Sequence, residues 1–304
     1  DNLADSAEIS VSSVLELDDL PADGTWFGLD YPIAQLIPVN GKVPVVRMNV
    51  KADNATRLVM ELRSSSKSEN YTPDTIDAVL EFDLKKDENE IVADFSYSYA
   101  TPRYAFICLM KNPEISVPMS GRLVTGLTAV YNYINPAVSN FGKQVPPEGI
   151  GVEEFEFWCP KRRPESKNIA MSFAPSLASF NSENLRNSYY RPYIGTNAWV
   201  AAFDDARPEV CFKWNGRKQI KTIILYFDTD TDQAMETVQM GHFDACVPTC
   251  YREYIIRELY HITGNHQTLN VLELDQPVTT DAIYVNFVRP CGDVCPGLMG
   301  VYVC

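Results

Sequence analysis

The sequence is short of positive charge, of histidine and of helical periodicity, and each shortage closes off a class of function. Twenty-six Lys and Arg stand against 40 Asp and Glu, giving a net charge of −14 over 304 residues. So acidic a surface repels phosphate backbones and anionic headgroups, and neither nucleic acid nor a membrane surface is expected as a partner. No run approaches the roughly 18 consecutive apolar residues of a membrane span. Only three histidines exist, and no Gly-x-Ser-x-Gly or His-Glu-x-x-His pattern accompanies them. No Gly-x-Gly-x-x-Gly follows a strand-like run, so the backbone cradle for a dinucleotide is missing. The chain opens at Asp1 without the apolar core of a signal sequence, which points to a processed or excised piece.

What the sequence does contain is the pattern of strands. Hydrophobic residues make up 45% of the chain, too many for disorder, and the length suits roughly two domains at about 150 residues each. Val43 to Val50, Ala55 to Arg63, Ala78 to Leu84, Ile91 to Tyr97, Tyr104 to Met110 and Leu123 to Tyr131 alternate or run apolar. Asn40-Gly41, Asp53-Asn54, Asn112-Pro113 and Ser120-Gly121 punctuate them, and twenty prolines suit loops and strand edges. Strands resume at Ile169 to Phe173, Glu209 to Trp214, Ile220 to Phe227, Glu253 to Leu259, Val271 to Leu274, Ala282 to Val288 and Leu298 to Val303. Asp232 to Gly241 has room for one short helical turn. The pattern breaks around Gly142 to Gly149 and again in the polar run Pro160 to Lys167. The expectation is an all-β protein of two antiparallel β-sandwich domains, divided at 1–160 and 161–304.

In the second half, Asn184-Leu185-Arg186-Asn187-Ser188-Tyr189-Tyr190-Arg191-Pro192 precedes Asn197-Ala198-Trp199. Pro208 to Trp214 follows, then Ile220-Lys221-Thr222-Ile223-Ile224-Leu225-Tyr226-Phe227. This order resembles the galactose-binding-like, discoidin-type β-sandwich, a jelly roll closed by Leu298 to Cys304. Over nearly the whole chain a second resemblance runs to the C-terminal region of bacterial FAD-dependent oxidoreductases. It is carried by Arg63 to Lys67, Asn70 to Asp74, Pro102 to Phe106, Asn132 to Asn140, Phe155 to Trp158 with Arg162 to Pro164, and Phe227 to Asp230 with Met240-Gly241-His242. That resemblance implies accessory modules of a flavoenzyme, with FAD held by an upstream flavin domain and none by this chain.

Several groups are candidates for a site. Tyr190, beside Arg191, offers a flat ring suited to stacking on a sugar face, although rings in sandwiches also fill cores. Asp228 and Asp230 follow a strong strand; Gln233 and Gln239 stand where a calcium loop needs Gly and Glu, leaving a solvated loop or a rim that accepts from sugar hydroxyls. His242 and His266 sit in polar loops and are either turn formers or ligand donors. Together these residues form the candidate carbohydrate site, at one loop-built end of the second sandwich. Trp199 reads as a packing residue. Cys246 with Cys250, and Cys291 with Cys295, are each separated by three residues. Zinc ligation, a disulfide and unbonded thiols all remain open for them. Cys108 and Cys211 sit in apolar runs and read as small buried hydrophobes. The carboxylates of Glu154 and Glu156 share a strand face, and spacing alone assigns them no glycosidase role. The leading functional reading is a non-catalytic carbohydrate-binding module, with export favoured over the cytoplasm; the alternatives are a structural unit or a cover over the oxidoreductase active site.

Overall fold

The computed structural model describes residues 2–65, 73–134, 156–159, 167–190, 195–227, 251–263, 265, 267–290 and 295–304. Within them the chain is all-β and antiparallel, with twenty strands and two short 3-10 turns, Leu3–Ser6 and Ser182–Arg186. No described helix is long and apolar enough to cross a membrane. The chain forms two compact units.

The unit made by 18–123 and 127–175 has two sheets. One runs β13 (Asn168–Ile169), β10 (Asn112–Ser120), β5 (Val45–Ala52), β14 (Met171–Leu177), β2 (Leu17–Leu20), with β3 (Trp26–Leu29) on β10 and β8 (Asp87–Ala93) on β5. The other runs β12 (Glu156–Cys159), β11 (Thr128–Ile134), β4 (Ile33–Val39), β9 (Arg103–Leu109), β6 (Thr56–Ser64), β7 (Thr75–Leu84). β5 alternates as a half-buried strand should, with Val46, Met48 and Val50 inward and Arg47 and Asn49 outward. β4 is buried at every position, so both of its faces are covered, and it reads as the near-continuous apolar run Ile33-Ala34-Gln35-Leu36-Ile37. Pro38 is tolerated there because β11 pairs only with Ile33 to Leu36, leaving that flank of β4 already open. Gln35 interrupts the run without loss. Its Nε2 donates to Asn168 Oδ1 (3.2 Å) and its Oε1 accepts the Ile169 N–H (2.9 Å), tying β4 of one sheet to β13 of the other.

The other unit takes residues 1–17, 124–126 and 176–304. Its strands run β15 (Trp199–Val200), β20 (Gly297–Val303), β16 (Glu209–Phe227), β19 (Leu269–Pro290), β17 (Tyr251–Ile256), β18 (Tyr260–Thr263), with β1 (Glu8–Val11) also on β16. β16 and β19 form one long ribbon, broken in register near Lys213/Lys218 and Ile220/Thr222. The sequence reading split each of these strands in two. The ribbon folds over on itself: the Phe227 N–H bonds to the Thr268 carbonyl, yet its ring centroid lies 6.2 Å from that of Phe287. Along a straight strand those about nineteen residue steps would span roughly 60 Å. One arm of the fold therefore carries β15, β20, the end of β16 and the start of β19; the other carries β1, the start of β16, the end of β19, β17 and β18. Between them Val210, Phe212, Ile223, Leu225, Phe227, Tyr254 and Val285 form one core. This is the wrapped ribbon of a jelly roll.

The division differs from 160/161. Residues 167–175 pair with the first half through β13 and β14, and residues 1–17 join the second half. The N-terminal segment serves that unit in three ways. β1 pairs with Val210 to Lys213. The carbonyls of Leu3 and Ser13 accept the indole N–H groups of Trp214 (2.7 Å) and Trp199 (2.8 Å). Asn2 accepts from the Val303 N–H (2.9 Å) and donates to the Val301 carbonyl (3.2 Å), closing the open edge of β20 as a strand would.

Candidate functional site

Asparagines shape the segment before Tyr190. Asn184 Nδ2 donates to the carbonyls of Ser179 (2.9 Å) and Ala198 (2.8 Å), and Thr196 Oγ1 donates to Ser179 as well (2.9 Å). Asn187 bonds to Asn197 (3.1 Å) and accepts the Tyr189 N–H (2.9 Å), a local turn built by a side chain. Ser188 between them is left-handed, with φ 63°. These bonds deliver Tyr189 and Tyr190 to the surface, 40% and 42% exposed.

Tyr190 then lies on a sheet. Its ring stacks on Tyr226, centroids 3.8 Å apart and planes 12° from parallel. Tyr226 is paired with Gly300 across β16 and β20, and a Cβ on Gly300 would stand 2.6 Å from Cδ1 and Cε1 of Tyr190. The missing side chain of Gly300 is thus the seat of the ring. Burial, then the nearby Tyr226, Asp5 and Tyr302, push the Tyr190 hydroxyl above its ordinary pKa, so it stays a neutral donor and acceptor at physiological pH.

The same register extends the surface. Val301, Val303, Leu225 and Ile223 face the core, which turns Tyr302, Ile224 and Tyr226 outward. On the next strand Leu269 pairs with Tyr226 and Val271 with Ile224. Both are outward and open, 47% and 53% exposed. An outward strand face is ordinarily polar, so this one departs from the rule.

Of the residues selected from sequence, the structure places Tyr190 in this cluster and Cys295 half-buried just before β20. Arg191, Asp228, Asp230, His242, His266, Cys246, Cys250 and Cys291 lie outside the described residues, as do the candidate helical turn from Asp232 and Glu154. Trp199 is fully buried, its ring 5.6 Å from Phe287, a packing residue as its sequence context suggested. Cys108 is buried among apolar neighbours, and Cys211, also buried, lies against Tyr284, its partner across β16 and β19. Among the described residues no group of three or more His, Cys, Asp or Glu is arranged to hold a metal. Among the described residues no strand leads into an α-helix. Sequence reading missed Tyr226, Gly300 and Tyr302. The signal for them was the inward set Ile223, Leu225, Phe227, which by alternation sends Tyr226 out.

No family model matches the sequence, and no curated protein matches it. Among solved structures, the chain is similar to the family 32 carbohydrate-binding module of Streptococcus pneumoniae EndoD, at 12% identity, over 41% of this chain and 86% of that one, with a TM-score of 0.31. It is similar to chitosan-binding module 2 of a Paenibacillus sp. IK-5 chitosanase/glucanase in complex with chitotriose, at 9% identity, over 41% and 87%, TM-score 0.30. It is also similar to the family 32 module of C. perfringens NanJ in complex with galactose, at 9% identity, over 41% and 85%, TM-score 0.30.

Proposed function

We propose that the unit containing Tyr190 is a non-catalytic carbohydrate-binding module. The observation that carries this reading is the Tyr190 ring, 42% exposed, stacked on Tyr226 and seated over Gly300. A sugar presents one apolar C–H face and a rim of hydroxyls. A held aromatic ring with a polar edge matches both, and its ordering entropy is already spent on stacking. Rings, hydroxyls and the carboxylate of Asp5 surround it. Asp5 is the one carboxylate acting on the ring among the described residues, where most glycosidases need a facing pair.

Calorimetric titration of the whole chain tests the proposal. Galactose and chitotriose, the ligands carried by two of the similar structures, are the first to try. Tyr190→Ala is expected to weaken binding by about tenfold, the equivalent of one aromatic contact. Unchanged affinity in that variant would remove the basis for the assignment.

The finer reading places these units at the end of an FAD-dependent oxidoreductase, exported, with the flavin on an upstream domain. It rests on the sequence motifs. Under it the purified chain is colourless, and FAD retained through purification and released on denaturation would overturn that part. Zinc, a disulfide or free thiols at Cys246, Cys250, Cys291 and Cys295 are separated by thiol titration before and after reduction and chelation.

A further inference from the structure

The outward sheet face beside Tyr190 has more apolar surface than one sugar ring would cover. We propose that the ligand is a flat β-1,4-linked glycan chain lying across β20, β16 and β19, and that it contacts Tyr190, Tyr302, Tyr226, Ile224, Leu269 and Val271 in turn. This rests on the carbohydrate reading above and names the class of carbohydrate.

Three observations carry it. The cross-strand pairs Gly300 with Tyr226 and Leu269 with Tyr226 form one row, with Tyr190 standing over the glycine; Tyr302 and Val271, both opposite Ile224, form the next. The face is therefore continuous across three neighbouring strands. Those strands are spaced by about 4.8 Å, close to the length of one pyranose residue, so a chain laid across them meets a fresh side chain at each sugar. A loop pocket holds a chain end, whereas this face has the shape of a strip.

Second, the strip is uncharged. Its six side chains are aromatic or aliphatic, three carry phenol hydroxyls, and the charged neighbour beyond Val271 is Glu273, again outward. With Asp5 near Tyr190 and a net charge of −14, a uronic-acid or sulfated glycan is repelled, while a neutral or amino-sugar chain is accepted. Third, six partly exposed side chains fall well short of the roughly 20–30 residues a side of a stable protein interface. A glycan ribbon, with apolar C–H faces and hydroxyl edges, suits a strip of this size.

The test is affinity against chain length. β-1,4-linked glucose oligomers of one to four residues, and the matching chitosan oligomers, are titrated into the full chain and into Tyr190→Ala, Val271→Glu and Ile76→Glu. Ile76 is as exposed as Val271 but lies on β7 of the other unit, and serves as the control. The parent chain is expected to bind the trimer of at least one series about tenfold more tightly than the monomer. Val271→Glu should collapse that ratio toward one, and Ile76→Glu should leave it alone. Unfolding midpoints establish that each variant folds. A length advantage that survives Val271→Glu, or binding with no length dependence, would overturn the strip while leaving a one-sugar site at Tyr190. Absence of binding to any oligomer by the parent chain would sink both.

Discussion

The two units reach a sandwich by opposite routes. One is close to a contiguous stretch, 18 to 175, and makes its layers from two separate sheets, in which adjacent strands such as Thr56–Ser64 and Thr75–Leu84 sit beside long-range pairs such as Val45–Ala52 and Met171–Leu177. The other is assembled from both ends of the chain and makes its two layers from one ribbon bent over its own core. The first secures its layers with a buried amide pair, Gln35 and Asn168. The second uses rings that meet across the fold, Phe227 with Phe287 and Tyr254. Both units need long-range pairing, but the second also closes the longest loops, Asn2 onto Val303 among them, and loop entropy makes it depend on those N-terminal contacts.

The largest expected effect follows from the two-ended assembly. A chain beginning at residue 18 loses β1, the Asn2 bonds to β20, and the carbonyl partners of Trp199 and Trp214. Two orphaned buried indole donors alone cost about 2–6 kcal/mol, before the loss of Ala4, Ala7 and Leu15 from the interior. The unit holding 176–304 is expected not to fold, seen as loss of the near-ultraviolet dichroism contributed by Trp199 and Trp214, identified against a chain with both replaced by Phe. A truncated chain that keeps this signal would show that the N-terminal segment is an ornament.

Next is Phe227→Ala. Phe227 is 2% exposed, and its ring touches both arms of the ribbon. Its removal should destabilise by about 3–5 kcal/mol in urea unfolding. The matching change in the other unit is smaller. Gln35→Ala deletes the acceptor for the Ile169 N–H and the donor to Asn168, leaving buried polar groups unpaired at about 1–3 kcal/mol. If Gln35→Ala proved the costlier of the two, the contrast between amide-tied and ring-tied layers would be reversed.

These positions also show how far the sequence could be read. Strand character was legible wherever apolar residues alternated between turn signals, as in Val45–Ala52. The all-β class follows from that pattern alone. The partner of each strand was not legible. Nothing local in Glu8–Val11 specifies a ladder with Val210 to Lys213, so the grouping of 1–17 with 176–304 was not legible. The joining of Glu209–Trp214 and Ile220–Phe227 into one strand escaped for a related reason. Asn215 and Gly216 look like a turn, and the backbone passes them as an irregularity within the ribbon instead. At the site, Tyr190 was legible as a ring in an Asn-rich segment. Its stacking partner and its glycine seat come from strands 36 and about 110 residues further on, and only register brings them there.

A smaller effect addresses the outer face. Gly300→Ala places a methyl group within 2.6 Å of the Tyr190 ring, which must shift. The φ of Gly300 is not positive, so the strain is one of space rather than backbone. Loss of the Tyr190–Tyr226 stack costs about 0.5–1.5 kcal/mol in stability. Sugar binding should fall with it, and Gly300→Ala combined with Tyr190→Ala should be no worse than Tyr190→Ala alone. Additive losses would mean that the glycine does something other than seat the ring.

The smallest effect is in acid, and there the units differ in the kind of partner rather than in size. In the first unit, Asp23 accepts from the hydroxyl and N–H of Thr25 and pairs with Lys167 at 2.9 Å. Those bonds, the Thr25 hydroxyl first, hold its pKa at about 2 against the ordinary 3.8. In the second, burial works against the charge of Asp205, but the hydroxyls of Ser12 and Ser13 and the Arg207 N–H outweigh it and lower the pKa. Both folded values are depressed, so each carboxylate contributes stability that is complete above its unfolded pKa and is lost as pH falls through the folded one. For Asp23 that window runs from about pH 4 to pH 2. Solvent screening at these positions keeps each contribution below about 1 kcal/mol. Salt separates them. The Asp23 contribution includes an ion pair and should shrink in 1 M sodium chloride, where the Debye length is about 3 Å, whereas the hydroxyl cradle of Asp205 carries no opposite charge to screen. Unfolding midpoints of Asp23→Asn and Asp205→Asn, measured from pH 2 to pH 6 in low and high salt, should therefore converge on the parent chain in acid for both. They should converge in salt more for Asp23→Asn than for Asp205→Asn. Equal salt dependence would mean that Lys167 contributes nothing to Asp23, and that hydroxyl and N–H donors hold the carboxylate in both units alike.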